Sequence, residues 1–356
     1  MKLQKALFKI YDFNSRRPPE IQRIFSLETM IIRFLKSNNS SAFVLLPLMA
    51  IVIWAFGFMH PLTYDAKHAM PLFELVNGGL SRLPWLATFV ALLLVVFGAF
   101  VLNYIMNENE VLTKQSFLPA LFYIVFMSNN NAMLLLHPAL FSNLFILFAI
   151  NKVLSSYRKD LAFSQMFDAG LLISIATLFY FPSIVFLPLL GIAMIIFRTF
   201  NWREWMISFI GVCVPYAFVL TYYFWNGTMD YLLYDKMFFP IVFKKPTVEL
   251  SQSFYFMITI GWLIVILSFG KLFSGLGGGS QKTKKAMILV LWMFVLSGSS
   301  VFLAPDISTK FFAPLAVPTT VICSNYFLRQ KKELWGEILF LLLLASLFVN
   351  MFSTFF

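Results

Sequence analysis

Residues Trp85–Met106 read WLATFVALLLVVFGAFVLNYIM, a stretch in which no side chain carries a charge. A helix needs about 20 predominantly apolar residues to cross the hydrocarbon core of a bilayer. Arg82 precedes the stretch and Glu108 follows it, so charged residues bound it on both sides. The stretch therefore predicts a membrane-spanning helix, and the same criterion can be applied outward to the rest of the chain.

The composition of the whole chain fits this interpretation. Hydrophobic side chains make up 60% of the 356 residues and charged side chains only 12%, whereas a soluble domain has about 25% charged residues. The 44 Phe, 8 Trp and 13 Tyr exceed what one aqueous core easily buries. Cys213 and Cys323 lie within apolar runs, so no disulfide framework is expected. The composition excludes soluble, disordered and fibrous proteins, and it predicts an all-α polytopic transmembrane helical bundle.

About eleven hydrophobic segments are expected to enter the membrane. They are Ala42–Met59, Trp85–Met106, Phe117–Ser128, Ala132–Ile150, Phe167–Phe181, Ser183–Phe197, Met206–Trp225, Phe254–Phe269, Ala286–Leu303, Phe311–Phe327 and Ile338–Phe352. The third is too short to cross alone unless Asn129, Asn130 and Asn131 lie at a water-filled dip. The fifth and sixth form one apolar run cut by Pro182 and Pro188, which predicts a tight hairpin or a broken helix.

The basic residues predict the orientation of these segments. If the N-terminus is cytoplasmic and every segment crosses, six of the 27 basic residues lie outside: Lys67, Arg82, Lys236, Lys244, Lys245 and Lys310. The other 21 lie inside, which is the excess that the positive-inside rule predicts. We therefore expect an N-in, C-out multi-pass protein of the bacterial inner membrane.

The chain is expected to have two parts. Residues 1–40 form a basic cytoplasmic segment, in which Glu20–Lys36 places apolar residues at nearly helical spacing. This pattern is typical of an amphipathic helix on a membrane surface, held by apolar burial and by attraction to anionic lipids. Residues 41–356 are expected to form a single transmembrane helical domain.

The first outer loop contains a candidate catalytic acid. Asp65 lies shortly after the first segment, between His60 and His68. A carboxylate fixed at the membrane surface beside imidazoles suits a general base that takes a proton from an incoming hydroxyl. These three side chains could alternatively bind a metal ion. Their spacing matches no standard ligand pattern, so no metal is predicted. A solvated loop with an N-capping aspartate is the simpler alternative.

The second outer loop carries Lys244 and Lys245 against the positive-inside trend. Tyr231 and Tyr234, which precede them, are typical of a segment at the level of the lipid headgroups. Two ammonium groups at that level can bind a lipid phosphate as point charges. An interfacial helix whose lysines extend to water is the alternative.

The third outer loop leads into a span that contains two prolines. Lys310 precedes Pro314 and Pro318 in this stretch. Prolines free backbone carbonyls at membrane depth, and neighbouring protein or water must satisfy them. The segment is therefore predicted to line a cavity, with a plain kinked helix packed among its neighbours as the alternative.

Together these features resemble the GT-C superfamily, multipass glycosyltransferases that take sugars from polyprenyl-phosphate carriers. Asp65 matches the acid of the first outer loop, and Lys310-Phe311-Phe312-Ala313-Pro314 matches a basic-aromatic-x-x-Pro start of a late span. Lys310 stands where members of the superfamily often have arginine, and Asp65 has no second acid directly beside it. The chain also resembles an uncharacterised multipass inner-membrane family of Bacteroidota.

The resemblance implies transfer of a sugar, or a similar group, from a lipid-phosphate donor at the outer face. Asp65 is then the base or the group that orients the acceptor. Lys310 with Lys244 or Lys245 is expected to bind the donor phosphate, and His68 to contribute to substrate binding. No cofactor is expected. The implied partners are membrane lipids, among them a polyprenyl-phosphate lipid, and other envelope proteins, but not nucleic acid.

Two other functions stay open from the sequence. A non-catalytic subunit or scaffold of an envelope assembly would use the outer loops to dock a partner. A transporter or flippase is less favoured, because transport pathways are usually marked by charged or strongly polar side chains within the spans. The candidates for such markers are Asn103, His137, Asn143, Asp168, Ser174 and Thr177.

Overall fold

A computed structural model describes most of the chain. The described residues are 30–37, 40–64, 69–198, 200–238, 251–275, 280–303, 312–330 and 333–353. All site residues predicted from the sequence, Asp65, His68, Lys244, Lys245 and Lys310, lie outside these ranges. The segments of chain that flank them are described and carry the structural argument.

Thirteen α-helices are numbered here in chain order within the described ranges. They are α1 Met30–Lys36, α2 Ala42–Met59, α3 Pro71–Leu80, α4 Pro84–Glu108, α5 Leu118–Met127, α6 Pro138–Ser155, α7 Phe163–Phe179, α8 Leu187–Phe197, α9 Trp202–Trp225, α10 Gln252–Gly275, α11 Gln281–Ser299, α12 Phe312–Arg329 and α13 Glu333–Ser353. Short 3-10 turns cover Asn131–Met133, Phe181–Phe186 and Ser300–Leu303, and Tyr231–Phe238 forms a π-helical segment.

The predicted fold class is confirmed. Every regular element in the described ranges is helical, and each predicted hydrophobic segment contains a helix. Six helices of the described chain, α2, α4, α6, α9, α10 and α13, are long and apolar enough to cross a membrane. The others are shorter or less apolar, so the count of eleven crossings and the N-in, C-out orientation stay predictions.

Helix α5 lies at the centre of the bundle, although it is only ten residues long. Nine of these ten residues are buried, and the helix packs mainly against α4 and α12. A helix too short to cross a bilayer alone is stable at membrane depth when protein surrounds it. This explains how the third predicted segment fits into the bundle.

The turn after α5 is held by protein groups. The side-chain oxygen of Asn130 accepts a hydrogen bond from the backbone N–H of Met133 at 3.1 Å. Asn350 donates to the carbonyl of Asn129 at 3.1 Å, and the side chain of Asn131 donates to a carbonyl of α13 at 3.3 Å. Irregular backbone at membrane depth needs such partners. The asparagines therefore connect α5 to α13 through side-chain hydrogen bonds.

The apolar run containing Pro182 is broken, as predicted. Helix α7 ends at Phe179, and Pro182 lies in the 3-10 turn that precedes α8. In the same turn, Ser183 shares a hydrogen bond with Ser142 of α6 at 2.5 Å. This bond satisfies a polar group of the break inside the bundle.

Helices α7 and α9 cross in close contact at two glycines. A Cβ atom at Gly170 would collide with the carbonyl oxygen of Ser208, and one at Gly211 with that of Phe167. Small residues of this kind let two membrane helices approach backbone to backbone. Because only 11% of the most apolar part of α9 is buried, its contact with α7 is the main link between α9 and the bundle.

The two ends of the bundle are called the basic end and the far end. At the basic end, Thr283 of α11 donates to the carbonyl of Glu110 at 2.8 Å, and Asn109 donates to Asn151 of α6 at 3.1 Å. The far end is where α2, α9 and α13 finish and α3, α6, α10 and α12 begin. Under the predicted orientation the basic end faces the cytoplasm and the far end faces outward.

The described part of the predicted surface helix packs against the basic end. Residues 30–36 form α1, and Ile32 and Leu35 are buried. The carbonyl of Leu35 accepts a hydrogen bond from the N–H of Phe117 at 2.9 Å. Residues 20–29 of the predicted helix lie outside the described ranges. The end of this segment therefore contacts protein, which the prediction of a helix lying on lipid did not include.

Candidate functional site

One turn of α6 connects the flanks of two predicted site loops. Tyr64, the residue before the Asp65 loop, packs against Phe73 of α3 with ring centroids 5.2 Å apart, and Phe73 packs against Phe141 of α6 at 6.3 Å. Two residues further along α6, the side chain of Asn143 donates to the carbonyl of Ala313 at 2.8 Å. Ala313 lies in the first turn of α12, directly after the loop that contains Lys310. The flanks of both loops are thus fixed to the same turn.

A second contact joins the flanks of the first and second outer loops. Lys236 Nζ lies 3.0 Å from Glu74 Oε2, and the Lys236 side chain is fully buried while that of Glu74 is 43% exposed. The Lys236 ammonium also lies 4.8 Å from the ring centroid of Tyr231, whose hydroxyl donates to Glu74 at 3.4 Å. These three residues form the far-end cluster. It ties α3 to the π-helical segment that leads toward Lys244.

The sequence did not predict the far-end cluster. Glu74 was not among the candidate residues, and Lys236 was counted only as an outer basic residue. Their pairing joins positions far apart in the chain, so no local pattern reveals it. Two signals were available: a carboxylate within an apolar helix, and a lysine on the side that the positive-inside rule disfavours.

An open groove lies beside the far-end cluster, between α3 and the end of α9. Its volume is about 710 Å³ and its lining includes Glu74, Leu75, Phe218, Tyr222 and Tyr231. Ligand sites commonly occupy about 300–1,000 Å³ and combine apolar walls with a few polar groups. The carboxylate of Glu74 and the hydroxyls of three lining tyrosines, Tyr222, Tyr223 and Tyr231, provide acceptors and donors for a hydroxyl-bearing molecule.

An apolar cavity of about 100 Å³ lies between α5, α10, α11, α12 and α13. Met257 and Trp262 of α10, Leu315 of α12 and Leu343 of α13 line it, with Asn129 as a polar member. Trp262 is 45% exposed on the outside of the bundle. The cavity is too small for a whole lipid and suits a segment of an apolar chain. It borders the start of α12, the helix that follows Lys310.

Most of the polar side chains considered as transport markers bind neighbouring helices. Ser174 donates to the carbonyl of Val212 at 2.8 Å, and Thr177 shares a hydrogen bond with Tyr216 at 2.7 Å. Asp168 pairs with Lys152 at 2.8 Å near the basic end, and Asn143 binds α12 as described above. Such side-chain bonds connect helices in membrane bundles. They give these residues a structural role that needs no transport pathway.

The structure describes only one of the three residues that the sequence offered as an alternative metal site. Of His60, Asp65 and His68, only His60 lies within the described ranges, where it is exposed at the end of α2. Among the described residues, no group of three or more His, Cys, Asp or Glu side chains is positioned to hold a metal ion.

Comparisons with known proteins place this geometry in context. The model of a family of unknown function (DUF6427) matches residues 83–355. The fold is similar to that of ArnT from Cupriavidus metallidurans bound to undecaprenyl phosphate, with a TM-score of 0.56 and 14% sequence identity. The match covers 86% of this chain and 64% of ArnT, so the chain spans less than two thirds of the length of ArnT. No curated protein matches the sequence.

Proposed function

The chain belongs to DUF6427, a family of unknown function, and we propose that it is a GT-C-like glycosyltransferase of the bacterial inner membrane. The proposed reaction moves a sugar, or a similar group, from a polyprenyl-phosphate-linked donor to an acceptor hydroxyl at the outer face. Asp65 is the base or the acceptor-orienting group. Lys310, with Lys244 or Lys245, binds the donor phosphate, and His68 contributes to substrate binding.

The observation that carries this proposal is the attachment of both key loops to one turn of α6. Phe141 contacts the α3 side of the Asp65 loop through Phe73, and Asn143 bonds to Ala313 beside the Lys310 loop. Transfer chemistry needs the base and the phosphate-binding cation on opposite sides of one reacting centre. The shared attachment of the described flanks to one turn of a buried helix supports a role for both loops at one reacting centre, even though their sequence positions are remote.

The comparison with ArnT supports the donor class. ArnT shares the fold and was solved with undecaprenyl phosphate bound. In the present chain the apolar cavity gives part of an isoprenoid tail a place beside the start of α12, the helix that follows Lys310 in the sequence. The groove beside Glu74 gives an acceptor a separate approach on the α3 side.

Donor binding is tested first, with undecaprenyl phosphate that carries bromine atoms on its tail. Bromine quenches tryptophan fluorescence on contact, so the lipid should quench Trp262, which lines the apolar cavity. The Trp262→Phe variant is the control, because it keeps the cavity but removes the reporter. Equal quenching of the wild type and the variant would place the lipid elsewhere.

Catalysis is tested in cells that express Asp65→Asn or Lys310→Ala, with lipid-linked glycans measured by mass spectrometry. Loss of a charge-stabilising contact in the transition state typically costs about 10²–10³ in rate, so Asp65→Asn should nearly abolish transfer. Lys310→Ala should weaken donor binding as well. Asp230→Asn and Arg82→Ala are matched controls, since both side chains are exposed at the far end outside the proposed machinery. A scaffold predicts instead that the two site variants behave like the controls.

A further inference from the structure

The basic end contains a pocket that the proposed reaction does not use. It occupies about 510 Å³ where α4 and α6 end and α11 begins. Its lining includes Asn109, Glu110, Tyr157, Arg158, Ser280 and Lys282. Because it lies at the opposite end of the bundle from the far-end cluster, its function is independent of the proposed transferase activity.

Three cations surround the tyrosine of this pocket. The Arg158 guanidinium carbon lies 5.5 Å from the ring centroid of Tyr157, and the Lys285 ammonium lies 5.8 Å from the same centroid. Lys282 contributes the third charge from the pocket wall. Glu110 is the acid that lines the pocket, and its backbone carbonyl accepts a hydrogen bond from Thr283. The side chains around Tyr157 therefore carry an excess of positive charge.

The charge around Tyr157 lacks the pairing seen elsewhere at the basic end. There Lys152 pairs with Asp168 at 2.8 Å, and Arg198 pairs with Glu204 at 2.7 Å. Within the described part of the chain, none of the three cations near Tyr157 lies at ion-pair distance from a carboxylate. Like charges held together repel one another unless an anion lies among them. The arrangement therefore favours an anionic ligand.

The backbone around the pocket is also unusual. Glu110 has φ of 52° and Arg158 has φ of 58°, and among the described residues these two are the non-glycine residues with positive φ. Residues other than glycine rarely adopt this conformation, and strained residues cluster at functional sites. Both of them line the same pocket, so the two strained positions belong to one site.

We propose that this pocket binds the phosphate headgroup of an anionic phospholipid in the leaflet at the basic end. Arginine can bind a phosphate with two parallel hydrogen bonds, and lysines add point charges. We assign the phosphate to a membrane lipid because of where the pocket lies. Three helices begin or end at the pocket, and Tyr157 belongs to a residue type enriched at the membrane–water interface. Basic pockets between helices on the cytoplasmic side are known sites for anionic headgroups.

The experiment titrates the full-length chain in detergent with phosphatidylglycerol or with zwitterionic phosphatidylcholine, and counts bound lipids by native mass spectrometry. The test variant combines R158Q, K282Q and K285Q. The matched control combines R33Q, K114Q and R203Q, which remove the same charge from exposed positions outside the pocket. Elution volume in gel filtration verifies that both variants are folded. Should the triple variant not fold, R158Q and K285Q are tested singly.

We expect the wild type to retain phosphatidylglycerol in preference to phosphatidylcholine. Each removal of one of the three cations, Arg158 and Lys282 of the pocket lining and Lys285 beside Tyr157, should weaken this binding about fivefold, and removal of all three about 100-fold, whereas the control triple variant should bind like the wild type. E110Q should strengthen binding, because it removes the opposing charge. Equal loss in both triple variants overturns the pocket assignment. Displacement of the lipid by millimolar inorganic phosphate, without preference between the lipids, overturns the assignment to a membrane lipid.

Discussion

The crossing of α7 and α9 provides a direct test of the fold. At Gly170 an added Cβ would meet the carbonyl oxygen of Ser208 in the facing backbone. Backbone cannot move aside as the end of a flexible side chain can, so Gly170→Ala must push the two helices apart. Since α9 has few other contacts with the bundle, the strain cannot be shared with a third helix.

The cost follows from three contributions. Overpacking a well-packed site costs about 1–3 kcal/mol. Separation also weakens the hydrogen bonds from Ser174 to Val212 and between Thr177 and Tyr216, which are 2.8 and 2.7 Å long, at about 0.6 kcal/mol each. Alanine regains at most about 1 kcal/mol of helix propensity. The last two contributions nearly cancel, so Gly170→Ala should lower the free energy of unfolding by about 1–3 kcal/mol.

The assay uses the two native cysteines. Cys323 is buried and Cys213 is exposed, so in a Cys213→Ser background a thiol-reactive dye reports unfolding through Cys323 alone. Unfolding is driven by increasing amounts of sodium dodecyl sulfate. Gly261→Ala and Gly270→Ala are the matched controls, because a Cβ at either position of α10 meets nothing within 4 Å. If Gly170→Ala unfolds at the same detergent fraction as these controls, the close crossing of α7 and α9 is wrong.

Three charge pairs give further predictions in the same assay. Glu74→Gln removes the carboxylate partner of the buried Lys236 and should cost about 1–3 kcal/mol of stability. This is less than the cost of breaking a fully enclosed pair, because Glu74 is 43% exposed. An unchanged stability would contradict the contacts of the far-end cluster. Glu204→Gln should cost about 3–5 kcal/mol, since the side chains of Glu204 and Arg198 are 1% and 8% exposed. Asp168→Asn removes the acid of a half-exposed pair and should change stability by less than about 1 kcal/mol. If Glu204→Gln and Asp168→Asn have equal effects, the difference in burial between the two pairs does not determine their contribution to stability.

Hydropathy predicted the existence of the helices better than it predicted their first and last residues. The segment predicted from Ala132 to Ile150 contains α6, but the helix begins only at Pro138. The apolar residues before it form a 3-10 turn and a loop, held by hydrogen bonds to the side-chain oxygen of Asn130 and to a backbone carbonyl of α13. A window of apolar residues cannot separate helix from irregular chain when both are buried, because burial in protein tolerates either as long as the backbone is satisfied.

The candidate site was predictable only where it depends on local sequence. A carboxylate after the first span and a lysine before a proline-containing span are local patterns, and the resemblance to GT-C enzymes rests on them. The contact of Glu74 with Lys236 and the bond from Asn143 to Ala313 depend on how distant helices pack. Such pairs become visible only once the chain is folded, because single-sequence patterns carry no information on contacts between remote positions.

The first half of α6 connects three elements at the far end of the bundle. Phe141 packs against α3, Ser142 bonds to Ser183 in the break before α8, and Asn143 bonds to Ala313 in α12. Successive helical residues point about 100° apart, so three neighbours in sequence reach three different elements around one helix. Each element starts or follows a loop at the far end. A rigid buried turn thereby connects elements that flank loops remote in sequence, and support of this kind is what the proposed catalytic residues would require.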